Sequence, residues 1–564
     1  MELRVWAPAA RSLAVVSAAG RTELERRGED WCGQLAPGTD YRLSVDGGPP
    51  LPDPRSVSQP HGVHGPSRAV DLADFPWTDG AWRGREMRGA LWYELHVGTF
   101  TAGGTLDAAI ARLDHLADLG VGVVELMPLA EFPGNRGWGY DGVDLFAVHH
   151  SYGGPRALQR FVDAAHARGV AVALDVVYNH LGPDGNYLSQ FGPYFTDAFH
   201  TPWGEAVNLS APGVRRFILD NARHWFKYFH IDALRLDAVH ALHDPTDRHI
   251  LAELSEAART WQDQLGRPLA LVAESDLNQP CSVASTAAGG WGLTGQWDDD
   301  VHHALHANFT GETQGYYTDF GTPEVLAHVM EHVFWHDGRF SPFRGRVWGA
   351  PVPDDVDRAR FWALTQNHDQ VGNRALGDRP DLPTPVELGQ LALLLLSPFT
   401  PMLFQGQEWG TRTPFQYFTD HNEELGRLVT AGRRREFGGW AELHGGTDVP
   451  DPQDPATFAR SVLDWSEVPR RADFLHQVRQ LVELRGQVAG DAHVRCAWGQ
   501  DWFALGRSEL SVYVTRRTHA FPTSARTVLW SCGGEQLHDG ALHLPGPGAA
   551  VVPARLPNDG AGEL

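Results

Sequence analysis

The chain is poor in the residues that mark several classes of protein. Its 564 residues include four cysteines, which stand far apart with no paired spacing, and this pattern argues against a disulfide framework or a zinc site. Lysine occurs once, at Lys227, among 47 basic residues, so a Schiff-base mechanism is not indicated. The longest apolar run, LALLLLSPFTPMLF at 391–404, contains two prolines and is too short to span a bilayer.

Positive charge is also scarce. Seventy acidic residues against 47 basic ones leave a formal net charge of -23, which argues against the basic face that nucleic acid or an anionic membrane requires. We therefore predict neither as a partner. The widely spaced cysteines fit a reducing, cytoplasmic location. The stretch MELRVWAPAARSLAVVSAAG is interrupted by Arg4, Pro8 and Arg11 and is typical of strand-turn-strand structure rather than of an export signal.

The length and composition predict one large central domain with smaller neighbours. Hydrophobic residues make up 42 % of the chain, with 20 Trp and 26 Phe, so a substantial core can form. Short β-like runs divided by Gly and Pro occupy roughly the first 75 residues, and similar runs follow the helix-like DFLHQVRQLVELRG. These runs predict an N-terminal β-sandwich at 1–88 and a C-terminal β-sandwich at 488–564.

Between these regions, apolar strands alternate with amphipathic helices. The helix-like segments include TLDAAIARLDHLADLG and PRALQRFVDAAHARG, each ending in Gly at an expected C-cap. The strand candidates are ALWYELHV, GVGVVELMPL, GVAVALDVVY, IDALRLDAV, PLALVAES, LTGQWDD, FWALTQNHD and PMLFQGQE. Eight such units predict an α/β chain with a (β/α)₈ barrel at 89–487. A doubly wound sheet, which usually has fewer strands, is the alternative.

Two excursions from the barrel pattern, at 181–215 and 411–465, are rich in Gly, Pro and aromatic residues, as binding loops often are. Polar clusters also follow several strand candidates. These are Asp175 with Asn179 and His180; Arg235 with Asp237; Glu274; Asp298 to Asp300; and Asn367, His368 and Asp369. Because the active site of a barrel forms at the carboxyl ends of its strands, we expect these clusters to converge on one rim.

Carboxylates from separate strands fit glycoside hydrolysis, in which one ionised carboxylate attacks the sugar and a protonated one donates to the leaving oxygen. Arg235 lies two residues before Asp237 on the same strand face and could hold it ionised, so Asp237 suits the nucleophile. Glu274 follows the apolar run PLALVA, where partial burial would favour its protonated form, so it suits the acid. A structural ion pair of Arg235 with Asp237 and a capping role for Glu274 are the alternatives.

Four motifs occur in order: DVVYNH at 175–180, LRLDAVH at 234–240, AES at 273–275 and NHD at 367–369. On these motifs the chain resembles the α-amylase superfamily of retaining glycoside hydrolases. The resemblance implies Asp237 as nucleophile, Glu274 as acid/base and Asp369 as a third carboxylate that binds ring hydroxyls. It further implies a pocket for the sugar that is lined by Tyr140, His180, Arg235 and His368.

Longer stretches narrow the resemblance, among them GNRGWGYDGVDLFAVHHSYGG, QNHDQVGNRALGDR and FQGQEWGTRTPFQYFTDH. With LWYELHVGTFT and PDPQDPATFARSVLDW they are similar to the maltooligosyltrehalose trehalohydrolase family. The resemblance implies hydrolysis of the α-1,4 bond next to the terminal trehalose unit of maltooligosyltrehalose, which releases trehalose and a shortened maltooligosaccharide. It also implies maltooligosyltrehalose synthase as a pathway neighbour. A glycogen branching or debranching enzyme, or a non-catalytic carbohydrate-binding protein, is the alternative.

Selectivity for a trehalose end requires polar groups that are left unpaired when another sugar binds. We hypothesise that Asp141, His240, Gln370 and the polar residues of FQYFTDH provide them. Amylases commonly have Lys-His three and four residues after the nucleophile, whereas this chain has His240 and Ala241, so leaving-group contacts should differ. The WDDDVHH stretch lacks a spacing that selects a metal and is expected to be a solvated or hydrogen-bonded loop. We predict no metal and no cofactor.

Overall fold

The computed structural model describes residues 1–201, 204–438, 449–488 and 493–556. Within the first 75 residues, short strands form two antiparallel sheets, ordered β1-β5-β4 and β3-β2-β6-β7. Trp6 from the first sheet packs edge-on against Tyr194 of the central region. The strands are β1 Glu2–Trp6, β2 Leu13–Ser17, β3 Gly20–Glu23, β4 Glu25–Arg27, β5 Asp30–Gln34, β6 Asp40–Val45 and β7 Ser67–Arg68.

A closed barrel of eight parallel strands forms the centre, in the order β10-β13-β14-β15-β18-β19-β8-β9. Two antiparallel hairpins, β11-β12 and β16-β17, are inserted between barrel strands. The strands of this region are β8 Trp92–Leu95, β9 Val123–Leu126, β10 Ala171–Val176, β11 Phe195–Thr201, β12 Gly204–Val207, β13 Ala233–Leu236, β14 Ala270–Ala273, β15 Gly295–Trp297, β16 Asp337–Ser341, β17 Arg346–Gly349, β18 Phe361–Leu364 and β19 Thr400–Phe404. All eight strand candidates are confirmed.

Small side chains from three adjacent strands fit against large side chains from other strands in the interior of the barrel. Alanines from β10, β13 and β14 pack with the buried tryptophans Trp92, Trp297 and Trp362 in one apolar cluster. Gly295 on β15 shows how tight this fit is, since a Cβ there would overlap the Trp362 ring and the Arg360 carbonyl. The interior is therefore a packed core, and the polar groups of the site lie at or near the carboxyl ends of the strands.

Helices follow most barrel strands, and further helices lie in and after the long connections. They are α1 Val97–Phe100, α2 Leu106–Ile110, α3 Leu113–Leu119, α4 Gly154–His166, α5 Pro212–Tyr228, α6 Ile250–Leu265, α7 Asp299–Thr310, α8 Pro323–His332, α9 His368–Gly372, α10 Thr384–Leu395, α11 Glu423–Gly438, α12 Pro455–Ser461 and α13 Ala472–Val488. In the described residues, no helix combines the length and apolar character that a membrane span needs.

The predicted helices form, with one interruption and one earlier end. The segment 105–120 is divided into α2 and α3, and Gly120 ends α3 in the left-handed conformation as predicted. Helix α4 ends earlier, at Ala167, and Gly169 lies two residues beyond this C-cap. The acidic stretch predicted as a loop is instead the start of α7, where Asp298 accepts hydrogen bonds from the first backbone N–H groups.

The last region contains a five-stranded and a three-stranded sheet, ordered β20-β21-β22-β27-β24 and β23-β26-β25. Its strands are β20 Val494–Gly499, β21 Trp502–Arg507, β22 Leu510–Thr515, β23 His519–Pro522, β24 Trp530–Cys532, β25 Gln536–His538, β26 Ala541–Leu544 and β27 Gly548–Val552. A barrel with β-sheet regions on both sides agrees with the predicted fold class. The boundaries at residues 88 and 487 remain proposals.

Long connections follow three of the barrel strands. The predicted excursion 181–215 contains the β11-β12 hairpin, and the predicted excursion 411–465 contains α11 and α12, although its residues 439–448 lie outside the described part of the chain. A third connection, between β15 and β18, contains α7, α8 and the β16-β17 hairpin. We did not predict this third excursion, because its helices continue the barrel pattern and conceal the inserted hairpin.

Candidate active site

Arg235 lies at the centre of the site. Its side chain, carried by β13, has no exposed surface, and its Nη1 donates to Asp175 Oδ2 at 2.6 Å and to Asp237 Oδ1 at 2.8 Å. Nη2 lies 3.0 Å from Glu274 Oε2, and the guanidinium carbon lies 4.3 Å from the Trp297 ring centre. One buried cation therefore holds carboxylates that follow or end three neighbouring strands.

The backbone after β13 also contacts Glu274. Ala238 has φ 38° and ψ 53°, a left-handed conformation that a non-glycine residue seldom adopts. This turn directs the Ala238 N–H to Glu274 Oε2, at 2.7 Å. Asn179 donates to Asp237 Oδ2, also at 2.7 Å. The side chains of Asp237 and Glu274 are 10 % and 18 % exposed, so both are oriented by donors and still open to a ligand.

Asp369, on α9 after β18, is the most exposed of the three predicted catalytic acids. Its side chain is 33 % exposed, and its Oδ2 lies 3.4 Å from His368 Nε2. The Asn373 side chain donates to the other carboxylate oxygen at 3.2 Å. This partial exposure suits a carboxylate that binds sugar hydroxyls directly.

Tyr140 and His368 form the floor beside Arg235. Their rings stack with centres 5.2 Å apart, and the Tyr140 hydroxyl donates to Asp175 Oδ2 at 2.6 Å. His368 Nε2 lies 2.7 Å from the Tyr140 oxygen, and Nδ1 lies 2.5 Å from Glu94 Oε1. Burial lowers the pKa of His368, but the negative charges of Asp369 and Glu94 outweigh it and raise this pKa to about 10.

Asp175 and His180 complete this network. Burial raises the pKa of Asp175 to about 7, although the Arg235 charge opposes the rise. His180 hydrogen-bonds through Nδ1 to Asn179 Oδ1 and through Nε2 to the Tyr140 carbonyl at 3.0 Å, and burial lowers its pKa. The sugar-pocket residues that the sequence predicted lie together in one continuous set of hydrogen bonds: Tyr140, His180, Arg235 and His368.

The residues predicted to meet the leaving disaccharide have different surroundings. Asp141 Oδ2 lies 3.5 Å from Nε2 of His421, which belongs to the FQYFTDH stretch. Gln370 has a buried side-chain oxygen without a hydrogen-bond partner among the described residues. His240 is exposed, and its Nδ1 accepts a long hydrogen bond from the Asp276 N–H at 3.4 Å. Asp141 thus contacts a residue of FQYFTDH, while His240 lies beside the residue two positions after Glu274. Their contacts with the leaving disaccharide remain a prediction.

Two acidic groups in or beside the site were not predicted. Glu94 and Glu125 lie within buried strands β8 and β9, and a charged residue in such a strand was the available signal. Asp299, in the acidic stretch that starts α7, faces Glu274 and Asp369. Burial and these two negative charges raise the pKa of Asp299 to about 8.

The β16-β17 hairpin adds contacts near Glu274. Arg344, between its strands, donates from Nη1 to Asp276 Oδ2 at 2.9 Å, and Trp348 Nε1 donates to the Asp276 carbonyl at 2.8 Å. Phe343 is 50 % exposed and lies edge-on to Tyr316, which is 39 % exposed. Exposed aromatic rings beside an acidic cleft suit contact with the apolar faces of a sugar.

A separate cluster, Glu131, His149 and His150, is the one group among the described residues whose ligand atoms lie close enough for a metal ion. The His149 Nδ1 accepts from the Ser151 N–H, and its Nε2 donates to the Phe132 carbonyl, both at 3.2 Å. Since the hydrogen bonds of the protein already use both ring nitrogens, the cluster is accounted for as a hydrogen-bonded structural group.

The chain is similar to known proteins over most of its length. Residues 77–193 match the family model for the alpha amylase catalytic domain. Malto-oligosyltrehalose trehalohydrolase from Arthrobacter ramosus is 51 % identical over 97 % of this chain and 98 % of that protein. The same-named protein from Rhizobium sp. (strain M-11) is 49 % identical over 85 % of this chain and 84 % of its own length.

A solved structure extends this similarity to the fold. A crystal structure from Salmonella typhimurium, described as an alpha amylase, superimposes with a TM-score of 0.89 at 35 % identity and covers 98 % of this chain and 97 % of that chain. A pullulanase from Anoxybacillus sp. LM18-11 shares the fold at 17 % identity, with a TM-score of 0.70 over 98 % of this chain and 86 % of that chain. On the sequence identities and the coverage of both chains, this chain belongs to the malto-oligosyltrehalose trehalohydrolase family.

Proposed function

We propose that this chain is a retaining glycoside hydrolase that cleaves the α-1,4 bond next to the terminal trehalose unit of maltooligosyltrehalose. The observation that carries the proposal is the contact of one buried guanidinium, that of Arg235, with both Asp237 and Glu274. Retaining enzymes hold their two carboxyl groups about 5–5.5 Å apart, and a shared cation favours such a close pair. Membership of the family supports the choice of bond.

In the proposed reaction, Asp237 attacks the anomeric carbon of the glucose next to trehalose while Glu274 gives its proton to the glycosidic oxygen. The carbon–oxygen bond breaks, trehalose leaves, and a glycosyl ester forms on Asp237. Glu274 then removes a proton from water, which attacks the same carbon and breaks the ester. A shortened maltooligosaccharide with retained configuration leaves, and both carboxyl groups return to their starting states.

The surroundings of the two carboxyl groups support this division of roles. Asp237 accepts hydrogen bonds from Arg235 and Asn179 on its two oxygens, as a group that remains ionised requires. Glu274 is the more exposed of the two and can exchange a proton with the leaving oxygen and then with water. We assign to Asp369 the binding of ring hydroxyls, which holds the sugar in a distorted conformation.

Selectivity for trehalose is assigned to polar groups on the leaving-group side. Asp141 lies beside His421, and Gln370 has a buried oxygen that lacks a hydrogen-bond partner in the described part of the chain. Hydroxyls of the correct disaccharide would hydrogen-bond to both groups. Asp141 and Gln370 left unpaired would penalise an ordinary glucan. The proposal includes a cytoplasmic location and a pathway neighbour, the synthase that makes the substrate, without a lasting complex.

Product chromatography tests the proposal. Purified protein is incubated with maltooligosyltrehalose, with a maltooligosaccharide of equal length, and with branched glucan. Release of trehalose from the first, at a rate well above hydrolysis of the second, is expected. Gain or loss of α-1,6 branches without trehalose release would identify a branching or debranching enzyme instead. Glu274→Gln should lower kcat by roughly 10²–10⁴-fold, and undiminished turnover would exclude Glu274 as the acid.

A further inference from the structure

Two glutamates occupy equivalent places on neighbouring strands at the floor of the site. Glu94 on β8 is paired in register with Glu125 on β9, and both are fully buried. To charge both of two adjacent carboxylates in a fully buried place would cost much free energy. Their surroundings differ, and this difference distinguishes the two groups.

Glu94 is bound to His368 by both of its oxygens. Oε1 lies 2.5 Å from His368 Nδ1, and Oε2 accepts the His368 backbone N–H at 2.8 Å. The two residues are 274 positions apart in the sequence, so these contacts join the first barrel strand to the start of α9. A carboxylate that accepts on both oxygens is satisfied in its ionised form.

The hydrogen bonds of His368 define its charge. The Tyr140 hydroxyl has one hydrogen, which it donates to Asp175 Oδ2 at 2.6 Å, so the Tyr140 oxygen must accept from His368 Nε2, 2.7 Å away. Nδ1 must donate to the Glu94 carboxylate. Since both ring nitrogens donate, the ring is an imidazolium cation.

Glu125 has no such partner. Neither of its buried carboxyl oxygens has a hydrogen-bond donor among the described residues. Burial, with the negative charges of Glu94 and Asp175, raises the pKa of Glu125 well above its ordinary value. Glu125 is therefore the neutral member of the pair.

The charged groups that face His368 from each packed element agree with this assignment. Asp369 and Glu94 favour the imidazolium, whereas Arg235 from β13 and burial oppose it. Electrostatic interactions also link this group of residues to Asp175 on β10, Tyr140 in its loop and Glu125 on β9. His96, just after β8, is disfavoured as a cation by burial and by His368, and its pKa falls to about 4.

We propose that Glu94 is a positioning residue that holds His368 as an imidazolium, which in turn orients the Asp369 carboxylate and the Tyr140 hydroxyl, while Glu125 beside it stays uncharged. Only the catalytic consequence of this inference rests on the proposed function. The path of influence runs from Glu94 to His368 and then to Asp369, whose Oδ2 lies 3.4 Å from His368 Nε2. Glu94 itself need not touch the sugar.

The chain provides a matched pair of variants, Glu94→Gln and Glu125→Gln. Each variant replaces a buried carboxyl group by an amide of the same shape, on one of the two neighbouring strands β8 and β9. Only Glu94→Gln removes a charge. Glu94→Gln should lower kcat by roughly 10²-fold, as displaced catalytic groups do, with a smaller change in KM. In its pH profile of kcat/KM, the alkaline limb should also move to lower pH, because the His368 imidazolium loses its proton more readily without Glu94. Glu125→Gln should keep both parameters and the profile within about threefold of the parent, since a neutral group replaces a neutral one at no cost in charge.

A conservative variant and a spectroscopic measurement keep the test decisive. Glu94→Asp retains the charge and should restore part of kcat and the parental alkaline limb. In the unmodified protein, ¹⁵N spectra of labelled histidine, with His368 assigned by comparison with His368→Gln, should show an imidazolium that does not titrate below pH ~9. This readout needs no turnover, so it applies even if Glu94→Gln does not fold.

Two results would overturn the inference: a His368 ring that is neutral at pH 7, or variants of Glu94 and Glu125 with the same pH profile. Absence of trehalose release by the unmodified protein would refute the proposed function alone, because the charge of His368 would still be measured.

Discussion

Arg235→Lys is the substitution that most directly tests the architecture of the site. Arg235 donates to Asp175 and Asp237 and lies 3.0 Å from Glu274. Lysine keeps the charge but has one compact ammonium in place of a planar fork, so it cannot maintain all three contacts. A hydrogen bond to a charged group contributes about 1.5–3 kcal/mol, and loss of one to two of them predicts a cost of about 3 kcal/mol.

If this cost falls on the transition state, kcat/KM decreases by roughly 10²-fold, since about 1.4 kcal/mol corresponds to a factor of ten. The assay is trehalose release from maltooligosyltrehalose under conditions that give kcat and KM separately. A decrease of less than about threefold in the folded variant would refute the view that this guanidinium organises the carboxylates, because the lost hydrogen bonds would then carry no transition-state energy.

The matched control is Arg267→Lys. Arg267 is also buried and contacts Asp232, the residue that precedes β13, at 2.8 Å. It therefore lies at the opposite end of the same strand, away from the carboxylates. We expect this variant to lower the thermal midpoint while kcat/KM stays within about threefold of the parent. Lysine cannot keep all the hydrogen bonds that Arg267 donates to Asp232 and to two backbone carbonyls, and their loss costs stability without disturbing the active-site carboxylates.

Three further predictions concern selectivity, pH dependence and the barrel core. Asp141→Ala should lower the ratio of trehalohydrolase to amylase activity, and an unchanged ratio would remove Asp141 from the selectivity set. Burial lowers the pKa of His166, but hydrogen bonds to Asp232 and Asp79 raise it above 6.5 overall. The stabilisation from protonated His166 is therefore complete below pH 6.5 and is lost as the pH rises through the higher pKa of the folded state. The thermal midpoints of His166→Gln and the parent should converge toward alkaline pH, and a constant gap between them would contradict this. Gly295→Ala should strongly lower the yield of folded protein, since its Cβ would overlap the Trp362 ring, and a parental thermal midpoint would show that the barrel can adjust.

The barrel was predictable because its strands are short apolar runs separated by helix-length segments, and this periodicity is local in the sequence. The same holds for Asp237 and Glu274, which stand directly after such runs. The β16-β17 hairpin was not predicted, because its two strands carry no strong alternation and follow a helix that fits the barrel pattern. The acidic start of α7 was taken for a loop because consecutive Asp residues favour turns as well as helix N-termini.

The sequence by itself determined which residue types stand at the strand ends, and hence the class of chemistry and the identities of the candidate acids. The tertiary structure alone decided how charge is shared among them. Glu94 and Glu125 are indistinguishable as acidic residues in apolar strands, yet one binds His368 on two oxygens and the other has no donor in the described residues. Protonation depends on burial and on partners that lie hundreds of residues away in the sequence, and only the closed barrel brings those partners within reach.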